Sequence, residues 1–116
     1  MRSAVEAGHC FGIDAEDGQF AVLVERRGAE SNAAEWYPLD EGGLEALAAR
    51  VARCGERTRV CVSSRGEHSL DVAGRVSRSP GVELLLLFER YRPACAGRAA
   101  QAVHAGELAR SAQRAL

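Results

Sequence analysis

The sequence predicts an α/β domain built on a mixed sheet, with an antiparallel three-strand meander followed by parallel strands and helices flanking them. Three observations lead there. Residues 10–25 hold two alternating apolar segments around an Asp-Gly turn, the pattern of a β-hairpin. Residues 44–54 place apolar side chains at helical spacing, which marks an amphipathic helix. Strand-like and helix-like segments then alternate, the order that builds parallel strands through crossover helices.

The elements follow in order. Cys10 to Asp14 alternates Phe11 and Ile13 with smaller residues, Asp17-Gly18 turns the chain, and Gln19 to Glu25 brings Phe20, Val22 and Val24. Arg26 to Ala33 is polar, contains Gly28 and Asn32, and reads as a loop. Ala34 to Leu39 supplies Trp36 and Tyr37, with Pro38 confining this third strand to an edge or an end. Asp40 is a suitable N-cap for a helix carrying Leu44, Leu47, Ala48, Val51 and Cys54, and Gly55 is a suitable stop. Arg59 to Ser63 is the next strand, with Val60 and Val62 on one face. Ser64-Arg65-Gly66-Glu67 has the Ser-x-x-Glu form of a capping box, which predicts a helix starting there. That helix includes Leu70, Ala73 and Val76 and ends near Ser77 to Gly81. Val82 to Phe88 reads as a strand buried on both faces. Glu89 to Gly97 is a loop containing Pro93, and Ala102, Ala105, Ala109, Ala112 and Leu116 repeat at helical spacing with Leu108 beside them. No repeat or linker interrupts this order, so residues 1–116 read as a single domain.

Composition agrees. A chain of 116 residues buries about two thirds of the surface its unfolded form exposes. With 47% apolar and 27% charged residues and a net charge of −1, disorder is excluded as the default. No apolar run nears the roughly 20 residues of a membrane span; the strongest, Val82 to Phe88, is broken by Glu83. Met1 to Cys10 contains Glu6 and His9 and lacks the apolar stretch of a secretory signal, so a cytoplasmic location without membrane contact is expected. Cys10, Cys54, Cys61 and Cys95 form no CxxC pair and read as small apolar side chains in a reducing compartment, ahead of zinc or disulfides. Charge is uneven: residues 1–58 hold 6 Arg and 11 acids, residues 59–116 hold 9 Arg and 5 acids. The basic half suits phosphate contact, although a solvated surface is the commoner explanation of such an excess.

Asp14 lies at the end of the first strand, where an acid projects from a sheet. Phe11-Gly12-Ile13-Asp14 followed by Phe20-Ala21-Val22 resembles the start of the ribonuclease H-like (RuvC-like) N-terminal domain of DEDD-class insertion-sequence transposases and Piv-like DNA invertases. The resemblance continues through Val62-Ser63-Ser64-Arg65-Gly66, through Gln101, His104-Ala105 and Leu108-Ala109, and through Pro93. It implies a ribonuclease H-like fold, DNA as partner, and a site in which clustered carboxylates hold two divalent ions roughly 4 Å apart. The departures are equally specific: Ser63 stands where the family has Glu, and Gln101 and His104 stand where it has Asp. Of the four acids, only Asp14 is kept, as the catalytic and metal-binding candidate. The family's second domain, with its serine nucleophile, is not represented in this sequence.

Three readings stay open. The first is a transposase-derived domain associated with DNA transposition or recombination, impaired as an enzyme, with weak nucleic-acid contact or a regulatory role. The second is an active nuclease or resolvase binding Mg²⁺ or Mn²⁺ through Asp14, His104 and Glu107, the last two being three apart on one helix face. The third is a non-catalytic interaction module self-associating through the Ala-rich final helix. The expected partners are DNA, a second copy of the chain, or a chain supplying the missing domain. Candidate nucleic-acid contacts are Arg65, Arg90, Arg92 and Arg98, with Tyr91 among them. Ser63 or Ser64 with His68 has the composition of a hydrolase pair but no nucleophile elbow around it.

Overall fold

The computed structural model describes residues 8–15, 18–54, 57–63, 67–87 and 97–114. These residues form strands β1 (His9–Asp14), β2 (Phe20–Arg27), β3 (Glu30–Ser31), β4 (Glu35–Pro38), β5 (Thr58–Ser63) and β6 (Val82–Leu87), and helices α1 (Glu41–Ala52), α2 (Ser69–Val76) and α3 (Gly97–Arg114). β1 is antiparallel to β2 on one side and parallel to β5 on the other, and β6 extends the parallel half beyond β5. The short strands β3 and β4 both pair with the far side of β2. The expected α/β mixed sheet, antiparallel first and parallel later, is therefore present.

Strand alternation sorts the core into two layers. Phe11, Ile13, Ala21, Leu23, Val60 and Val62 face Leu44, Leu47 and Val51 of α1 and Val72 and Val76 of α2. On the opposite face, Cys10 and Cys61 meet Leu108 and Ala112, while Val22 and Val24 meet Ala105 and Ala109 of α3. Gly12 sets how closely α3 approaches. A Cβ at that position would lie 2.0 Å from the Ala105 carbonyl oxygen and 2.2 Å from the Ala109 amide nitrogen, so only glycine lets the helix backbone rest on β1. Asp40 caps α1 as expected, its Oδ1 accepting from the Gly43 amide at 2.7 Å.

Four expectations are corrected. The polar stretch 26–33 is not all loop: β2 runs on to Arg27 and turns at Gly28, whose φ of 60° favours glycine, into β3. The Val82–Leu87 strand is not buried on both faces. Among the described residues it pairs only with β5, and its side chains are half-buried or exposed because an edge strand has one neighbour. The second helix starts at Ser69 with His68 as N-cap and no side-chain cap bond; Glu67 precedes it, and Ser64 and Gly66 lie outside the described residues. Finally, Ala105, Ala109 and Ala112 are fully buried against the sheet, so the Ala-rich face of α3 is intramolecular core and not a self-association surface. Gly55, Phe88 and Pro93 also lie outside the described residues.

Candidate functional site

The alternation that points Phe11 and Ile13 toward α1 points Gly12 and Asp14 toward α3. β5 repeats the pattern, with Cys61 against α3 and Ser63 two residues further on the same face. Ile13 pairs with Val62, so Asp14 and Ser63 are neighbours at the C-terminal ends of adjacent parallel strands. From the other side α3 presents Gln101, His104 and Leu108 along one face. Asp14, Ser63, Gln101 and His104 are all at most 2% exposed. The four positions singled out by the resemblance thus converge on one buried spot, from three elements far apart in the chain.

Their hydrogen bonds define what the spot is. His104 Nδ1 meets Asp14 Oδ2, and an ionised carboxylate, being acceptor-only, places a proton on that nitrogen. Gln101 Nε2 donates to the Phe20 carbonyl at 3.0 Å and reaches Asp14 Oδ1 and the Asp14 carbonyl, both at 3.4 Å. Both carboxylate oxygens are engaged by side chains of α3. The arrangement is a satisfied buried polar network: each member stabilises its neighbour, and losing one leaves another unpaired at high cost.

This donor set does not fit Mg²⁺ or Mn²⁺. Hard cations need several anionic oxygens around an accessible position, whereas among the described residues one carboxylate, that of Asp14, lies here, wholly buried and hydrogen-bonded at both oxygens. Glu107 does not complete a set. It is exposed and shares with His104 the wall of a hollow of about 300 Å³ that Arg110 and Arg114 also line. Among the described residues the donor atoms close enough to share one ion belong to His9, Glu25 and Cys54, not to Asp14, His104 and Glu107.

Of the expected nucleic-acid contacts, Arg65, Arg90 and Arg92 lie outside the described residues, as does Tyr91. Arg98 is exposed at the start of α3, with its guanidinium 4.9 Å from the Phe20 ring centre and 5.4 Å from that of Trp36. The two rings meet edge to face at 6.4 Å, so Arg98 covers an aromatic pair one turn before Gln101. His68 is half-buried, with Nε2 3.7 Å from the exposed Glu67 carboxylate.

A second polar network, on the α1 side, escapes the sequence reading. Glu25 is 5% exposed; its Oε2 lies 2.5 Å from His9 Nδ1, and its Oε1 accepts from Arg50 Nη2 at 2.9 Å and Asn32 Nδ2 at 3.2 Å. Arg50 also grips both oxygens of Glu35 at 3.1 and 3.2 Å, while the Tyr37 hydroxyl donates to Glu35 at 2.6 Å. The same guanidinium lies over the Phe11 ring and 3.9 Å from Cys54 Sγ. Burial pushes the Glu25 carboxyl up, but hydrogen bonds from His9 and Arg50 outweigh it and hold the group below the usual range. Burial and donation to Glu35 push the Tyr37 phenol up to about 12, and burial raises the Cys54 thiol. One signal was available: Glu25 continues the Ala21, Leu23 phase of β2, and an acid on a buried phase asks for a partner.

Comparison with protein-family models finds no match, and neither does comparison with curated proteins.

Proposed function

We propose that this chain is a ribonuclease H-like domain of transposase ancestry that keeps the family's fold but has exchanged its metal site for a closed hydrogen-bonded network. On this reading it serves DNA transposition or recombination in a non-cleaving, regulatory or weakly DNA-contacting role. The observation that carries the proposal is the convergence of Asp14, Ser63, Gln101 and His104 at the C-terminal ends of β1 and β5 beneath α3. Their convergence is what supports the resemblance. The non-cleaving role follows from the chemistry. Among the described residues the spot holds one carboxylate, hydrogen-bonded to His104 and Gln101 and shut from solvent, and such a group neither holds two divalent ions nor activates water. Arg98 and the basic second half of the chain supply positive charge for phosphate contact.

The test is a gain of function. Wild-type protein should show no heat of binding with millimolar Mg²⁺ or Mn²⁺ and no cutting of branched DNA. A Ser63→Glu/Gln101→Asp/His104→Asp variant, checked for folding by circular dichroism, should bind Mn²⁺, and further change of Asp14→Asn should abolish that binding. A folded triple variant that binds no metal would refute the ancestry. Metal-dependent cutting by wild-type protein, lost in Asp14→Asn, would instead establish the active-nuclease reading.

A further inference from the structure

We infer that His9, Glu25 and Cys54 form a binding site for a thiophilic divalent cation of the zinc class, at the opposite end of β1 from Asp14. Their donor atoms, one nitrogen, one oxygen and one sulfur, all lie within 4.8 Å of one another. They come from β1, β2 and the turn that follows α1, so the fold and not local sequence gathers them. Imidazole, carboxylate and thiolate are the ligands Zn²⁺ takes in tetrahedral sites, and three protein ligands leave a fourth position for water or another ligand.

The geometry needs little adjustment. Metal–nitrogen and metal–oxygen bonds of about 2.1 Å at a tetrahedral angle put the two donor atoms about 3.3 Å apart. His9 Nδ1 and Glu25 Oε2 stand at 2.5 Å, so an ion would enter by spreading them less than about 1 Å. Charge favours the exchange. A dication with neutral imidazole, one carboxylate and one thiolate leaves no net charge, and Arg50 and Glu35 cancel beside it. Arg50 Nη2 takes Glu25 Oε1 at 2.9 Å, which leaves Oε2, the oxygen facing His9, for the ion, while Glu35 holds the guanidinium on its other side. Arg50 Nη1, 3.9 Å from Cys54 Sγ, supplies the outer hydrogen bond that metal-bound thiolates receive. Cys10 and Cys61 offer nothing similar, since both are buried among apolar side chains on the other face. The soft donor set also separates this site from the hard-cation chemistry that the resemblance implies at Asp14.

The experiment uses the whole chain, reduced and metal-free, titrated with Co²⁺ and then displaced with Zn²⁺. One equivalent of Co²⁺ should give a thiolate-to-metal charge-transfer absorption that Zn²⁺ removes. Cys54→Ser should abolish the absorption and weaken Zn²⁺ binding about a hundredfold or more, since even loss of an outer partner costs about 10–100-fold. His9→Gln should weaken binding while keeping the sulfur signal, and Cys10→Ser should change neither. Absence of the absorption in wild-type protein, or its survival in Cys54→Ser, would overturn the site.

Discussion

Gly12→Ala tests the contact on which the buried site depends. The added methyl would lie 2.0 Å from the Ala105 oxygen, 2.2 Å from the Ala109 nitrogen and 2.8 Å from the Leu108 carbonyl carbon. All three are backbone atoms of α3, so no rotamer change relieves the clash. Restoring an ordinary carbon–oxygen contact of about 3.3 Å requires the helix to lift by about 1.3 Å. A gap of about 0.5–1 Å already forfeits a quarter to a half of a dispersion contact, so this larger lift would forfeit about half or more of those that Ala105, Leu108, Ala109 and Ala112 make with the sheet. Overpacking typically costs about 1–3 kcal/mol. Because the obstruction is backbone, we expect about 3 kcal/mol or more even after the gain of up to about 1 kcal/mol from replacing a strand glycine. At about 4 °C per kcal/mol the melting point should fall by about 12 °C or more. Urea and thermal unfolding followed by circular dichroism measure this, with Gly74→Ala as control. Nothing lies within 4 Å of a Cβ at Gly74, and that exposed helical position should gain about 0.5–1 kcal/mol. A Gly12→Ala protein within about 1 kcal/mol of wild type would refute the direct seating of α3 on β1.

The remaining predictions concern single interactions. His104→Ala strands the buried Asp14 carboxylate and should cost about 3–5 kcal/mol in urea denaturation, whereas Asp14→Leu/His104→Leu should recover part of that loss. The Glu25 carboxyl is depressed in the folded state, so its stabilising contribution is complete above its unfolded value of about 4.3 and vanishes as pH falls through the folded value. Glu25→Gln should therefore be less stable at neutral pH and lose less on acidification, as read from urea midpoints between neutral pH and pH 2. Tyr37 is raised, so its contribution is complete below an unfolded value of about 10 and is lost as pH climbs through about 12; Tyr37→Phe should flatten that alkaline limb. Asp40→Ala removes the α1 cap and should cost about 1 kcal/mol by the same assay.

Periodicity carried the strands and helices of the layered core because β1, β5 and α1 are each decided by their own side chains. The failures have local causes. Val82–Leu87 is as apolar as a central strand, and only the arrangement of its neighbours makes it an edge. The Ser-x-x-Glu pattern at Ser64 competes with a chain path that starts α2 at Ser69, and sequence cannot rank the two. At the site, the sequence named Asp14, Ser63, Gln101 and His104 but not what they do together. Gln101 and His104 read as missing ligands until their bonds to Asp14 are seen. Glu107 shares their helix and borders the same hollow as His104, but it is exposed where Gln101 and His104 are buried against the sheet. The Glu25 network was hidden because Arg50 sits between helical positions read only for their apolar content, and its partners come from β2 and β4.

The bond between Asp14 and His104 spans 90 positions, and those from Gln101 to Asp14 and from Arg26 to Gln113 each span 87. Closing a loop of that length costs about 4 kcal/mol of chain entropy before any contact repays it, so α3 docks late in folding. Without α3, Cys10, Val22, Val24 and Cys61 would form an unroofed apolar side of the sheet, and Asp14 would lose its bonds to Gln101 and His104. The Gly12 seam lets the helix backbone lie directly on β1, so the apolar roof and the polar trio depend on one and the same seating.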